Sequence, residues 1–292
     1  MSPLERDVHL ADGRTLRVLE DGDLRGHPVF YLHGTPGSRL LFDRQVENAR
    51  RHTLRLIGHD RPGYGGSTPN PGRRIGDEAA DVAAIADALG LDRFAVYGHS
   101  GGGAPALACA ARLPDRVVAA ASLAALAPYP AEGIDWFAGM AEMNATGFKL
   151  MLNDPSAWEG TLAGDAATMV STTPEQMAAY LSSLMSDADH AGLTNELAVF
   201  LHRQAQEGFK PGIAGARDDS LATAKPWGFE LSSIRIPLQL WHGKLDNFVP
   251  YSHAEWLSAR LPRADLHIEP TDGHISISRK YPLIHEWLAS HF

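Results

Sequence analysis

Cysteine is almost absent. Cys109 is the single one in 292 residues, so no disulfide can form within the chain and folding does not depend on oxidation. No apolar run approaches the roughly 20 residues that a membrane-crossing helix needs. Positive charge is in deficit. Against 35 Asp and Glu stand 26 Lys and Arg, a formal net charge of −9, which argues against a nucleic-acid or anionic-membrane partner. There is no block of like charge, no low-complexity tract, and no His-Glu-x-x-His; His52 and His59 stand alone, without a ligand set around them. No metal and no cofactor are therefore expected, and the expected partner is a small-molecule substrate. The opening residues, Met1 to Asp7, are charged and lack the apolar stretch of a signal peptide, which makes the cytoplasm the expected location.

What is present is an enzyme-like composition, 44% hydrophobic and 21% charged, organised around Gly98-His99-Ser100-Gly101-Gly102. Arg93-Phe94-Ala95-Val96-Tyr97 before it reads as a short buried strand, and the alanine-rich run from Ala104 to Arg112 after it as a helix. A strand that breaks into a helix through Gly-x-Ser-x-Gly is a nucleophile elbow. Its glycines make room for the neighbouring chain, and the serine is projected at a sheet edge over a helix N-terminus whose free N–H groups favour a developing oxyanion.

The rest of the chain alternates strands and helices on both sides of this turn. A hairpin folds about Asp12-Gly13; Pro28–Leu32, Leu54–His59, Val117–Leu123, Ile236–His242 and Asp265–Ile268 read as buried strands. Helices are expected over residues 39–51 and 77–89. The alternation predicts an α/β fold, a doubly wound and mostly parallel sheet. It stops near Ala127-Pro128-Tyr129-Pro130 and resumes near Ile234. The expected organisation is therefore a core of residues 1–127 and 234–292 with a helical cap over 128–233. Within the cap, Trp136, Met140, Met143, Gly147 and Leu150 follow a helical period. Thr173-Pro174-Glu175-Gln176 is a capping box opening a helix with Met177, Leu181 and Leu184 on its apolar face. A further helix is expected from about Asp189, carrying Leu193, Leu197, Phe200 and Leu201. The cap methionines read as core filling or, functionally, as an adaptable apolar lid, and the expected pocket wall is Trp136, Met140, Met143, Met177, Leu181 and Leu184.

A serine hydroxyl needs a histidine base in contact, steered by a carboxylate. Asp246 and His274 each lie in a loop directly after a predicted strand, so the ends of one sheet edge bring them toward Ser100. The chain order Ser100, Asp246, His274 is that of the α/β-hydrolases. The stretch Ser122-Leu123-Ala124-Ala125-Leu126 offers no alternative acid. Asp272 reads as a turn residue, Cys109 as core, His33 as a prop for its loop, and His99 as turned away from the nucleophile. The two oxyanion donors are expected to be the backbone N–H groups of Gly101 and Thr35, since Pro36 has none.

With His33-Gly34-Thr35-Pro36-Gly37, Asp60-Arg61-Pro62-Gly63-Tyr64-Gly65-Gly66-Ser67, the elbow, Asp246 and Gly273-His274, the chain resembles the α/β-hydrolase superfamily over nearly its whole length. Its nearest likeness is to the capped group of small esterases, proline iminopeptidases, epoxide hydrolases and dehalogenases. The resemblance implies the α/β-hydrolase fold with an inserted cap. Ser100, where epoxide hydrolases and dehalogenases carry aspartate, implies a serine hydrolase instead. Thr35 and Gly101 depart from the His-Gly-Gly-Pro-Gly and post-serine tryptophan of proline iminopeptidases. A carboxylic ester or lactone of a neutral, hydrophobic small molecule is the expected substrate. Amide or carbon–carbon hydrolysis, perhydrolysis, and a ligand-binding receptor with weak turnover are the alternatives.

Overall fold

The computed structural model describes residues 3–292. Eight strands form one sheet in the order β1-β2-β4-β3-β5-β6-β7-β8. These are β1 (Leu4–His9), β2 (Thr15–Gly22), β3 (His27–Leu32), β4 (Leu54–His59), β5 (Phe94–His99), β6 (Val117–Leu123), β7 (Leu238–Gly243) and β8 (Ala264–Glu269). β1 and β2 form an antiparallel hairpin, and β2 is antiparallel to β4; from β4 to β8 every pairing is parallel. Gly13, at φ +87°, takes the left-handed position at the hairpin tip.

The central strands are apolar on both faces because helices cover both. Phe30, Leu32, Phe94 and Val96 point to one side, against Val82 and Ile85 of α2 (Glu78–Ala88), Leu107 of α3 (Gly103–Arg112) and Leu257 of α10 (Ser252–Ser258). The alternate residues Val29, Tyr31, Ala95 and Tyr97 face the other, against Val46 of α1 (Asp43–Arg51) and Ile284 and Leu288 of α11 (Tyr281–Ala289). Period-two alternation thus divides each strand between two buried layers, the arrangement expected of a doubly wound sheet.

Between β6 and β7 lie only helices and turns: α4 (Glu142–Asn153), α5 (Pro155–Ser171), α6 (Pro174–Tyr180), α7 (Asp187–Gly192), α8 (Asn195–Gly208) and α9 (Ala214–Thr223). The capping box at α6 forms as its sequence requires, with Thr173 Oγ1 accepting from the Gln176 N–H and the Gln176 side chain accepting from the Thr173 N–H. Two expectations are corrected here. The helical period from Trp136 is not a helix until Glu142, because Gly133 and Gly139 adopt φ +92° and +86° and turn the chain before it. The helix expected from Asp189 is two helices, broken at Leu193–Thr194, where Thr194 Oγ1 caps the Leu197 N–H of α8.

Candidate active site

β5 delivers Ser100 in a left-handed conformation, φ +55°, at the turn into α3. The flanking glycines are demanded by packing. A Cβ on Gly98 would lie 2.0 Å from the Gly102 carbonyl oxygen, and one on Gly102 2.0 Å from that of Leu32. The strained serine is held because the elbow has no room to relax.

The loops after β7 and β8 bring Asp246 and His274 to it. Ser100 Oγ lies 2.9 Å from His274 Nε2, and His274 Nδ1 lies 2.7 Å from Asp246 Oδ2. The network places a proton on Nδ1, which donates to the carboxylate, and leaves Nε2 to accept from the serine. Asp246 is itself fixed, since its Oδ1 accepts from the N–H groups of Phe248 and Val249, both at 2.8 Å. His242 Nε2 donates to the Val249 carbonyl at 2.7 Å and lies 3.2 Å from Asp246 Oδ2. Burial disfavours charge on Asp246, but His274 and His242 beside it hold its carboxyl well below the usual range. Burial likewise opposes charge on His274, and Asp246 outweighs it, raising the imidazole above its ordinary value. Phe248 stacks on the imidazole, with ring centroids 4.6 Å apart.

His99 is turned from the serine. Its Nε2–H donates to the His274 carbonyl at 2.9 Å and its Nδ1 accepts from Tyr281 Oη at 2.9 Å. Burial first, and His274 second, push its pKa down to about 3, so it serves as a neutral strut beneath the loop. His33 is a prop as well, with Nδ1–H donating to the Gly34 carbonyl at 2.7 Å and Nε2 accepting from the Arg61 N–H at 3.2 Å. Cys109 is fully buried in the core, and Asp272 pairs with Arg279 in its turn.

Thr35 and Gly101 meet beside Ser100. A Cβ on Gly101 would stand 2.9 Å from the Thr35 nitrogen and 2.2 Å from Thr35 Oγ1, so any other residue there would push the two loops apart. The Thr35 hydroxyl donates to Asp219 Oδ2 at 2.8 Å and accepts from Arg61 Nη2 at 3.1 Å. Arg61, wholly buried, also donates to the carbonyls of His33 and Gly34. Asp219 from α9 and Asp189 from α7 both reach this region, and neither was singled out by sequence reasoning.

A cavity of about 780 Å³ opens over Ser100. Ser100, Gly101, Thr35 and His274 line one side, and Met143, Met177, Leu181 and Leu184 line the facing wall. Trp136 and Met140 do not. They are buried in a separate cluster with Ala127, Ala131 and Ala145, where Trp136 Nε1–H donates to the Ala127 carbonyl at 3.1 Å. The turn that keeps them out of α4 also turns them away from the cavity. Phe148, Met151, Trp158 and Phe200 complete the apolar wall instead. Both arginines of the lining are paired, Arg44 with Glu196 and Arg279 with Asp272. Among the described residues no group of His, Cys, Asp or Glu is placed to hold a metal ion.

A family model for the α/β-hydrolase fold matches residues 27–280, from β3 through the His274 loop. The chain belongs to that family. This hydrolase is 30% identical over 258 residues to the non-heme chloroperoxidase of Streptomyces lividans, covering 87% of each chain. It is 28% identical over 292 residues to the 2-hydroxy-6-oxononadienedioate/2-hydroxy-6-oxononatrienedioate hydrolase of Burkholderia vietnamiensis, covering 90% of each. Among solved structures, a thermophilic esterase from Thermogutta terrifontis superposes with a TM-score of 0.70 at 20% identity, covering 100% of this hydrolase and 99% of the esterase, which shows the shared fold.

Proposed function

We propose that this hydrolase cleaves a carboxylic ester or lactone of a neutral, hydrophobic small molecule through an acyl-enzyme on Ser100. The observation that carries the reading is His274, which bridges Ser100 Oγ at 2.9 Å and Asp246 Oδ2 at 2.7 Å. His274 Nε2 takes the serine proton as Oγ attacks the carbonyl carbon, and Asp246 stabilises the imidazolium that forms. The N–H groups of Thr35 and Gly101 receive the oxyanion, and the dipole of α3 adds to them. The tetrahedral intermediate collapses as His274 returns the proton to the leaving alkoxide. Water, deprotonated by the same nitrogen, then attacks the acyl carbon, and Ser100 leaves with the proton.

The substrate class rests on the cavity. Its wall is mostly methionine, leucine and aromatic carbon, and its arginines are already neutralised by carboxylates. Such a wall suits uncharged acyl or aryl groups and gives a dianionic substrate no free cation. In this reading residues 128–233 are the cap, and residues 1–127 with 234–292 the core. A fluorophosphonate probe should add once, on Ser100, and uncharged esters should show higher kcat/KM than esters bearing a carboxylate or than amino-terminal peptides. A folded sample that takes no label on Ser100, or turnover that survives in Ser100→Ala, would overturn the assignment.

A further inference from the structure

Two carboxylates, Asp189 buried and Asp219 half-buried, descend from the helices between β6 and β7, and each meets a loop that carries half of the proposed chemistry. Asp189, in the first turn of α7, is wholly buried. Its Oδ1 accepts from the N–H groups of Ile275 and Ser276, at 2.8 and 2.9 Å, and from Ser276 Oγ at 3.0 Å. Its Oδ2 accepts from the His274 N–H at 3.1 Å and Ser186 Oγ at 3.0 Å. Three successive backbone N–H groups close on one anion, as they do in anion-binding nests, but here the anion is a side chain of the same protein. Gly273 makes this possible, because a Cβ there would lie 2.4 Å from Asp189 Oδ2 and 2.3 Å from Ser186 Oγ.

Asp219, in α9, does the same on the other side. Its Oδ2 accepts from Thr35 Oγ1 at 2.8 Å, from Tyr64 Oη at 2.8 Å and from Arg61, and its Oδ1 from Arg73 Nη2 at 2.6 Å. Arg61 in turn grips the carbonyls of His33 and Gly34, on the loop that presents the Thr35 N–H.

We propose that Asp189 and Asp219 are positioning residues, the first fixing the His274 loop and the second the Thr35 loop, so that the intervening helices complete the catalytic geometry as well as roof the cavity. This rests on the Ser100–His274–Asp246 reading above. Both loops follow strand ends, where no ladder partner holds the backbone, and a carboxylate is the one side chain with acceptor capacity for so many donors. An amide in place of Asp189 would turn an NH2 toward at least two N–H or O–H donors whichever way it is set. The groups facing His274 are Asp246, Asp189, His99 and, through Asp246, His242. Arg279 and Lys280 on the same loop are engaged by Asp272 and Glu269. Removing the Asp189 charge takes away one of the two anions that favour the protonated imidazole.

The test uses the full chain with p-nitrophenyl butyrate and a fluorophosphonate. Asp189→Asn should lower kcat about 10- to 100-fold, the scale of a small misplacement of a reacting group, with KM little changed. Its acid limb should move to lower pH, which a purely structural loss would not produce. Asp219→Asn should lower kcat by about 10- to 100-fold, no more than the loss of one oxyanion donor, with the acid limb unmoved. Labelling of Ser100 should slow in both. Should Asp189→Asn not fold, Gly273→Ala, which displaces the carboxylate, and Ser276→Ala, which removes one donor, should lower kcat in the same sense. Folded variants with wild-type kcat and pH profile, or losses confined to KM, overturn the proposal. If the wild type itself takes no label on Ser100, the triad reading fails. If wild type and variants label at one rate, only the positioning role fails.

Discussion

On the sheet side of the cavity, Ser100, His274, Asp246 and Thr35 are each fixed by directional contacts to neighbours that are themselves fixed. The facing wall presents Met143, Met177, Leu181 and Leu184, whose apolar atoms meet the cavity without any required direction. Hydrogen bonds hold atoms to a fraction of an ångström, which the proposed acyl transfer needs. Dispersion contacts tolerate many shapes, which suits recognition of varied acyl groups. The two aspartates that cross from the wall to the floor are the exceptions, and both are bound to loops; Asp219 borders the cavity, but its oxygens are taken by Thr35, Tyr64, Arg61 and Arg73. The division between fixed chemistry and adaptable recognition therefore follows contact type more closely than position in the chain.

The sharpest break of that comparison comes from its directional side. Asp246→Asn should cut kcat by about 10³- to 10⁴-fold, since the imidazole loses both its orientation and the partner of its cation. Wild-type kcat/KM should rise with pH as His274 loses its proton, with a midpoint above the ordinary histidine value because Asp246 outweighs burial. In the variant that midpoint should fall. An unchanged midpoint in steady-state pH profiles would remove Asp246 from contact with the base.

Two methionines on neighbouring turns separate packing from recognition. Met140 is 8% exposed and lies away from the cavity, whereas Met143 is 43% exposed and lines it. Met140→Ala should destabilise the fold by about 2–5 kcal/mol in urea unfolding, the usual cost of emptying a packed site, and leave the ratio of rates on short and long esters at the wild-type value. Met143→Ala should leave the unfolding midpoint nearly in place and lower kcat/KM for long acyl chains by roughly 1–3 kcal/mol relative to the shortest ester. If Met140→Ala changes the chain-length ratio and Met143→Ala does not, the wall has been drawn on the wrong side.

Much of the floor was legible because its constraints are local. Gly98 and Gly102 follow from the close approach at the elbow, and Asp246 and His274 from their places after β7 and β8. The wall was less so. Periodicity marked Trp136 and Met140 as one stripe with Met143, but glycines at positive φ broke the helix and sent the first two into their own cluster. Asp189 was hidden for a different reason. In the fold Ser186 and Asp189 form a capping box, with Ser186 Oγ accepting from the Asp189 N–H at 3.2 Å, and that local role conceals the distant one. Asp219 meets two arginines far back in the chain, whose charge outweighs its burial and holds its carboxyl well below the usual range.

The sequence by itself determined the sheet, the elbow and the chain order of Ser100, Asp246 and His274, the three side chains proposed to react. Strand periodicity, turn glycines and loop position depend on residues within a few places of one another. Only the tertiary structure decided which helix faces reach the cavity and which carboxylates bind the reactive loops. Those depend on the angles at which α4 to α9 leave their turns, and on donors such as Arg61 and the His274 backbone that lie far away in sequence. A buried carboxylate is stable only where such donors converge, and convergence of that kind is a property of the folded chain.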